Sequence, residues 1–529
     1  MQITREFRAS MNWLHTWLGI ALSGILFAIF WMGTLTVFHL EINRWMMPEL
    51  RTQVNVDAPL DPILMPLIEA SEPEGANSIF IRRANEREPF VRVIAIGDGE
   101  RSTRHLHPET GALVERTNTL GATDFFYPFH YSLHISWLGL GYWIVGLAAM
   151  AMLVLSISGI FIHRKIFQDF FTFRPKKKAR RSSLDLHNLT AVVALPFHIL
   201  FPLSGVLIFA LIYFPNAMTN AYGGNLPAYI EENNGFYTTE LMGEPGPMPT
   251  SLDLYVTRAE AIWTERDGQP ARADGLRIAN LGDAGSEIVI QHVFPERKVA
   301  MSQGAISYSI ATGEMVKDFQ PKPIQNASAY IEGAHFIRFD SWLVRWLFFF
   351  GGLAGSTMIA TGLLFWMRSR IRKGMEPASV RVVRALTIGT TTAIIAASAA
   401  FLIANRVLAP DAAAIGLDRS LLEVVVFYAV WIISFAHSGL RNKRAWKDQA
   451  WIIAGASLLA MALNWATTGD NLFVTLSTGD WSVAGVDLAL LASFLIAAKS
   501  ALHLGRVQAR DPEFSLAAVQ QKSTPVATE

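Results

Sequence analysis

Eight apolar stretches, each of about the 20 residues that a helix needs to cross a bilayer, leave this chain few ways to fold. They fall near 14–38, 138–162, 187–213, 342–366, 384–406, 420–438, 450–467 and 483–504. Lipid offers no partner to an open backbone, so each stretch is expected to be a helix. With 51% hydrophobic and 17% charged residues, the composition fits that reading and not a soluble domain. The first stretch follows Arg5 and Arg8 and lacks a small-residue cleavage site before Glu41, so it reads as a retained anchor.

Basic residues set the expected orientation. The 164–181 loop carries Arg164, Lys165, Arg174, Lys176, Lys177, Lys178, Arg180 and Arg181 against Asp169 alone. The 368–384 and 441–447 loops are also rich in Arg and Lys and alternate with the remaining connections, which predicts that all three are cytoplasmic. Both termini are then cytoplasmic. Residues 40–130 and 215–335 become two small α+β domains on the periplasmic side of an inner membrane. Residues 78–96 hold two strand-like runs, 252–266 read as a helix, and 285–295 and 298–310 as strands. Neither domain shows a nucleophile–base constellation. A net charge of +1 gives no reason to expect a nucleic-acid partner.

Most of the 13 histidines lie in or beside the apolar stretches, where an ionisable residue is costly and marks a ligand or proton site. The absence of cysteine excludes disulfides, thiolate ligation and iron–sulfur clusters. It also excludes a C-x-x-C-H attachment site. Imidazole-ligated haem b, at least two per chain, is the expected cofactor.

The first 370 residues repeat themselves. His15 precedes Gly33-Thr34-Leu35 by 18 positions, and His187 precedes Gly205-Val206-Leu207 by the same distance. Thr110-Gly111 is echoed by Thr312-Gly313; His134 follows the first glycine by 23 positions and His335 the second by 22. Ser158-Gly159 and Thr361-Gly362 close the two units. Residues 1–183 and 184–370 are thus two copies of helix, outer domain, helix. Residues 371–529 form a four-helix membrane extension and a tail.

Leu14-His15-Thr16-Trp17-Leu18-Gly19, Phe129-His130-Tyr131-Ser132-Leu133-His134, Gly159-Ile160-Phe161-Ile162-His163-Arg164, Asp185-Leu186-His187-Asn188, Pro196-Phe197-His198 and Ala360-Thr361-Gly362 together resemble the PepSY-associated transmembrane helix proteins, iron-regulated membrane proteins, over about residues 1–370. The resemblance implies a haem-containing inner-membrane reductase that releases iron from a ferric siderophore. No G-x-G-x-x-G follows a strand and opens a helix, so the electron donor is expected to be quinol or a separate reductase. Competing readings are a non-enzymatic PepSY-type regulator and a siderophore or metal transporter. Besides lipid, the expected partners are the ferric siderophore and that donor.

Helical geometry narrows the ligands. On a straight helix His187 and His198 share a face, about 16.5 Å apart at 1.5 Å per residue. His134 and His163 also share a face, about 43 Å apart. His15, His163 and His187 lie near the cytoplasmic edge, and His39, His130, His134 and His335 near the outer edge. His15, His130, His134, His163, His187, His198 and His335 are therefore the candidate haem ligands, with Arg338 and Arg345 as partners for propionates. His39, His437 and His503 read as interfacial. His105, His107 and His292 read as solvated. Asp487 and Glu423 fit an interhelical hydrogen bond better than a quinol or proton site.

Overall fold

Among the described residues seven helices are long and apolar enough to cross a membrane, and a bent pair supplies an eighth if it is counted as one span. The protein is a largely helical multi-pass membrane protein with a small antiparallel sheet. The computed structural model describes residues 4–509 apart from 53, 72–75, 98–99, 115–117, 164–173, 175–178, 235–240, 293–303, 338, 340, 373–376 and 442–443. Arg338, most of the 164–181 basic loop and the tail beyond 509 lie outside the described residues.

The first half runs α1 (Arg5–Thr36), α2 (His39–Met46), α3 (Asp61–Ser71), β1 (Ala76–Arg82), β2 (Val91–Gly97), β3 (Glu100–Leu106), α4 (Gly121–Asp124), α5 (Phe126–Ser132) and α6 (Leu140–Ile162). The second opens with α7 (Ala179–Val193) and α8 (Leu195–Ile208), then α9 (Ala210–Tyr213), α10 (Pro215–Tyr222) and α11 (Leu226–Asn234). It continues with α12 (Asp253–Asp267), β4 (Gly275–Ala279), β5 (Glu287–His292), β6 (Gly304–Ser309), β7 (Met315–Phe319), α13 (Pro323–Phe336) and α14 (Trp342–Arg372). The extension adds α15 (Pro377–Val407), α16 (Arg419–Leu440), α17 (Ala445–Thr468), α18 (Leu472–Thr478) and α19 (Trp481–Ala509).

Two compact units result. The helical unit holds Met1–Pro48, Thr117–His198 and Gly351–Glu529. In it α1 packs on α6, and α15 packs on α1, α16 and α17. The third expected span, 187–213, is not straight: α7 and α8 meet at a 64° bend. Pro196 has no N–H to offer a carbonyl one turn back, so the helix breaks beside it. The shared face expected for His187 and His198 therefore fails as straight-helix geometry. The pairing of His134 with His163 fails too, because α6 starts only at Leu140.

The other unit, Glu49–Arg116 and Ile199–Phe350, is built on one seven-stranded sheet in the order β3-β2-β1-β4-β5-β6-β7. Its central pairing, β1 with β4, joins the two repeats in antiparallel register from Ser78 opposite Ala279 to Arg82 opposite Gly275. Two separate domains were expected from the sequence; the outer segments share a single sheet instead. One face is covered by α3 and α12, whose Leu64, Ile68, Val256 and Trp263 are buried against Ile79, Ile81, Ile278, Ile288 and Ile306. The Thr-Gly echo is a repeated hairpin turn. Gly111 donates its N–H to His107 (2.9 Å) and Gly313 to Ser309 (2.8 Å), both glycines at positive φ of 67° and 72°.

His105 and His292 are not solvated as expected; both are buried. Phe90 covers His105 edge-on at 4.7 Å, and His292 lies against Trp263 while donating to the Arg272 carbonyl at 2.8 Å.

The two copies also exchange helix caps. Asp61, at the start of α3, accepts the N–H groups of Leu252 (2.6 Å) and Asp253 (3.1 Å). Asp253, at the start of α12, accepts those of Leu60 (2.9 Å) and Asp61 (3.0 Å). Each carboxylate thus fills donors that the other helix leaves open and sits at the positive end of its dipole. Asp61→Ala or Asp253→Ala is expected to cost about 1–2 kcal/mol. Amide exchange at both helix starts should rise in either single variant; a rise at one start only contradicts the exchange.

Candidate functional site

Four histidines are seated in the same way. His15 of α1 donates its Nδ1–H to the Leu155 carbonyl of α6 at 3.0 Å. His187 of α7 donates to the Met358 carbonyl of α14 at 2.8 Å. His130 of α5 donates to the Ile29 carbonyl of α1 at 2.9 Å. His335 of α13 lies 2.8 Å from the Ser204 hydroxyl of α8, whose own proton goes to a carbonyl of its helix. A carbonyl can only accept, so the proton sits on Nδ1 and Nε2 is the basic nitrogen.

Each ring also lies over a glycine of the neighbouring helix. A Cβ on Gly33 would come within 2.7 Å of the His130 ring, and one on Gly362 within 3.1 Å of His187. The corresponding distances are 3.4 Å from Gly159 to His15 and 3.4 Å from Gly205 to His335. The glycines are those that the sequence repeat aligned, so the repeat encodes a histidine seat. His130, not His134, is the counterpart of His335. His134 sits in a turn at positive φ (55°) and gives its Nε2–H to the Phe125 carbonyl at 2.7 Å.

His15 and His187 face one another with ring centroids 6.3 Å apart and planes 82° apart. Both line a cavity of about 270 Å³ walled mostly by apolar side chains of α1, α6, α7 and α14, among them Ile20, Met152 and Ile359. His163 and His198 line it too. His198 is buried, with its Nε2 unpartnered, and Phe30 lies edge-on to its ring at 6.1 Å. Among the described residues no cluster of three or more His, Asp or Glu side chains could hold a bare metal ion. Arg345 is buried near the start of α14.

Two of the histidines read as interfacial have polar partners of their own. His39 bonds Thr123 (2.9 Å) and stacks on Tyr127, and His437 lies 3.6 Å from Asp448. Asp487 accepts from the Trp45 indole at 2.9 Å, the interhelical hydrogen bond that its position in the sequence favoured. Sequence reasoning missed the glycines as part of the site, although their repeat was the available signal.

The glycine distances grade the expected damage. Gly33→Ala and Gly362→Ala must push a ring aside at a cost of about 1–3 kcal/mol. Gly159→Ala and Gly205→Ala should melt close to the parent protein. Thermal unfolding in detergent checks the order, and equal losses in all four contradict the seat.

Burial holds the His130 and His134 imidazoles below the usual 6.5, against the opposing pull of their carbonyl bonds. With a depressed folded value, the stability they lend is complete above pH 6.5 and is lost as pH falls through that lower value. Exchange protection at 121–135 should therefore drop on acidification, and less so in His134→Gln.

A family model described as the PepSY-associated TM region matches residues 12–369. An uncharacterized protein of Pseudomonas aeruginosa is 26% identical over 310 residues, covering 55% of this chain and 74% of the relative.

Proposed function

This chain belongs to the PepSY-associated TM family, and from that premise we propose that it is a haem b-dependent reductase of the bacterial inner membrane that passes electrons outward to a ferric siderophore. The observation that carries the reading is the His15–His187 pair. Two imidazoles on one metal at about 2.0–2.1 Å each put their ring centroids on the order of 6–6.5 Å apart. The separation in this protein is 6.3 Å. The glycine seats and the fixed tautomers fit the same group, because a ligating imidazole needs its other nitrogen tied to an acceptor.

A haem held by His15 and His187 would supply a one-electron carrier. The chain's own residues do the rest. The carbonyls of Leu155 and Met358 orient the rings and raise the basicity of Nε2. The apolar wall, Ile20, Met152 and Ile359 among it, excludes water from the pair. His130 and His335 repeat the seat, each within its own unit, and each is a proposed ligand of a further group, with Arg345 as a candidate partner for carboxylates. His163 and His198 remain further ligand candidates at the first. Reduction of the siderophore iron weakens its hold in a hard oxygen-donor chelate, so release needs no breakdown of the chelator. The basic loops support a cytoplasmic placement for the ends of α6 and α14 that they follow, with the sheet unit periplasmic.

Pyridine haemochrome analysis of the purified chain is expected to give about two b haems, since candidate ligands gather at both ends of the apolar stretches. His187→Ala should lose one of them. A sample reduced with dithionite should reoxidise on adding ferric siderophore and yield ferrous iron to a ferrous-specific chelator. A folded, colourless preparation would falsify the cofactor, and a reduced spectrum untouched by chemically different ferric siderophores would remove the substrate.

A further inference from the structure

The family match ends at residue 369, and the five helices from α15 onward lie beyond it. Besides packing on α1 and α2, they reach the segment 119–139, which carries His130 and His134, through aromatic rings and a buried carboxylate. That segment is built against its own preferences. Leu133, His134 and Leu138 all hold positive φ, at 52°, 55° and 49°, a region where a side chain crowds its own backbone. Such geometry persists only where the surroundings over-determine it. The chain then folds back so tightly that a Cβ on Gly141 would lie 1.9 Å from the Ser132 carbonyl oxygen.

The extension supplies much of the packing that holds this turn. Phe125 stacks on Phe401 of α15 at 4.5 Å and meets Phe427 of α16 edge-on at 5.0 Å. Phe126 reaches Phe401 at 5.3 Å, and Phe129 reaches Phe427 at 6.0 Å and Trp431 at 5.8 Å. Phe125, Phe126, Phe129, Phe401 and Phe427 are all buried. His134 lies on the same cluster, 4.8 Å from Phe125 and 5.7 Å from Phe129. At the start of the segment, the Thr119 hydroxyl donates to Glu423 of α16. That carboxylate is fully buried and also takes the Asn405 amide at 3.1 Å, with Arg419 at 3.5 Å. From the first repeat itself, Asn43 accepts the N–H groups of Ala122 and Thr123 (2.7 and 3.1 Å), which fixes α4 but does not reach the strained turn.

We propose that the C-terminal extension is a clamp, with Phe401, Phe427 and Glu423 as positioning residues that hold the strained turn and thereby aim His130 from α5. The part assigned to His130 as a ligand rests on the reading above; the packing of the turn does not. Loosening the clamp frees Leu133 and His134 to leave their left-handed geometry, and the helix that precedes them loses its stop.

The test uses the full-length protein in detergent, with Phe427→Ala and Glu423→Gln, Phe427→Leu as the conservative variant, and Leu495→Ala as a control on an exposed face of α19. Amide exchange at 121–135 should quicken at least tenfold in Phe427→Ala, less in Phe427→Leu and Glu423→Gln, and not in the control. Residues 179–193 should keep their protection throughout. In the same samples one of two low-spin haem signals should shift or vanish while the other stays. Unchanged exchange at 121–135, with α16 itself still protected, overturns the clamp. Faster exchange with both haem signals intact overturns its action on His130. If the parent protein binds no haem, the cofactor reading fails alone and the exchange result still decides the clamp.

Discussion

A hydrogen bond from an imidazole Nδ1 to a carbonyl of the facing helix is the constraint around which the helical unit is arranged. The carbonyl already serves its own helix, so only its second lone pair is on offer, and a ring can reach it only where the two backbones approach closely. Glycine permits that approach: a Cβ on Gly362 would crowd the His187 ring at 3.1 Å and one on Gly33 the His130 ring at 2.7 Å, while at Gly159 a Cβ would meet His15 only in ordinary contact at 3.4 Å. The bond then settles three things together, namely the tautomer, the plane of the ring and the direction of Nε2. Two such seats bring the His15 and His187 rings within 6.3 Å of one another beside an apolar wall.

Duplication accounts for why the seats come in matched sets. His15 with Gly159 and His187 with Gly362 are one seat in two copies; His130 with Gly33 and His335 with Gly205 are another. In the sheet unit the copies do more than resemble each other. β1 pairs with β4, and Asp61 and Asp253 cap one another's helices, so neither copy satisfies its own backbone without the other. The two outer segments are therefore a single cooperative body and not two beads on a string.

Much of this was legible in the sequence, and the failures have definite causes. Span positions followed from apolar length, and the helix at Asp253–Asp267 from its composition. The Thr-Gly echo marked a real turn because a hairpin needing positive φ selects glycine. The bend at Ala194 was missed because hydropathy is blind to the N–H that Pro196 lacks. His134 was matched to His335 by nearly equal spacing, yet spacing counts residues and cannot see that four of them turn left-handed between α5 and α6. β3 was missed because its run Glu-Arg-Ser-Thr-Arg-His-Leu is polar on nearly every position. The joining of two segments into one sheet is a non-local pairing that no window along the chain contains.

That same pairing has a consequence in time. β1 leaves the ribosome well before the strand that covers its edge. About 190 residues separate Arg82 from Gly275, and at roughly 5–20 residues per second their synthesis takes on the order of 10–40 s. Through that interval β1 offers an uncovered row of donors and acceptors to any passing chain, while α6 and the bent α7–α8 pair are threaded into the bilayer. Biogenesis of this protein thus holds a half-built sheet waiting on a membrane insertion event, and a nascent chain stalled between the two halves is its most vulnerable form.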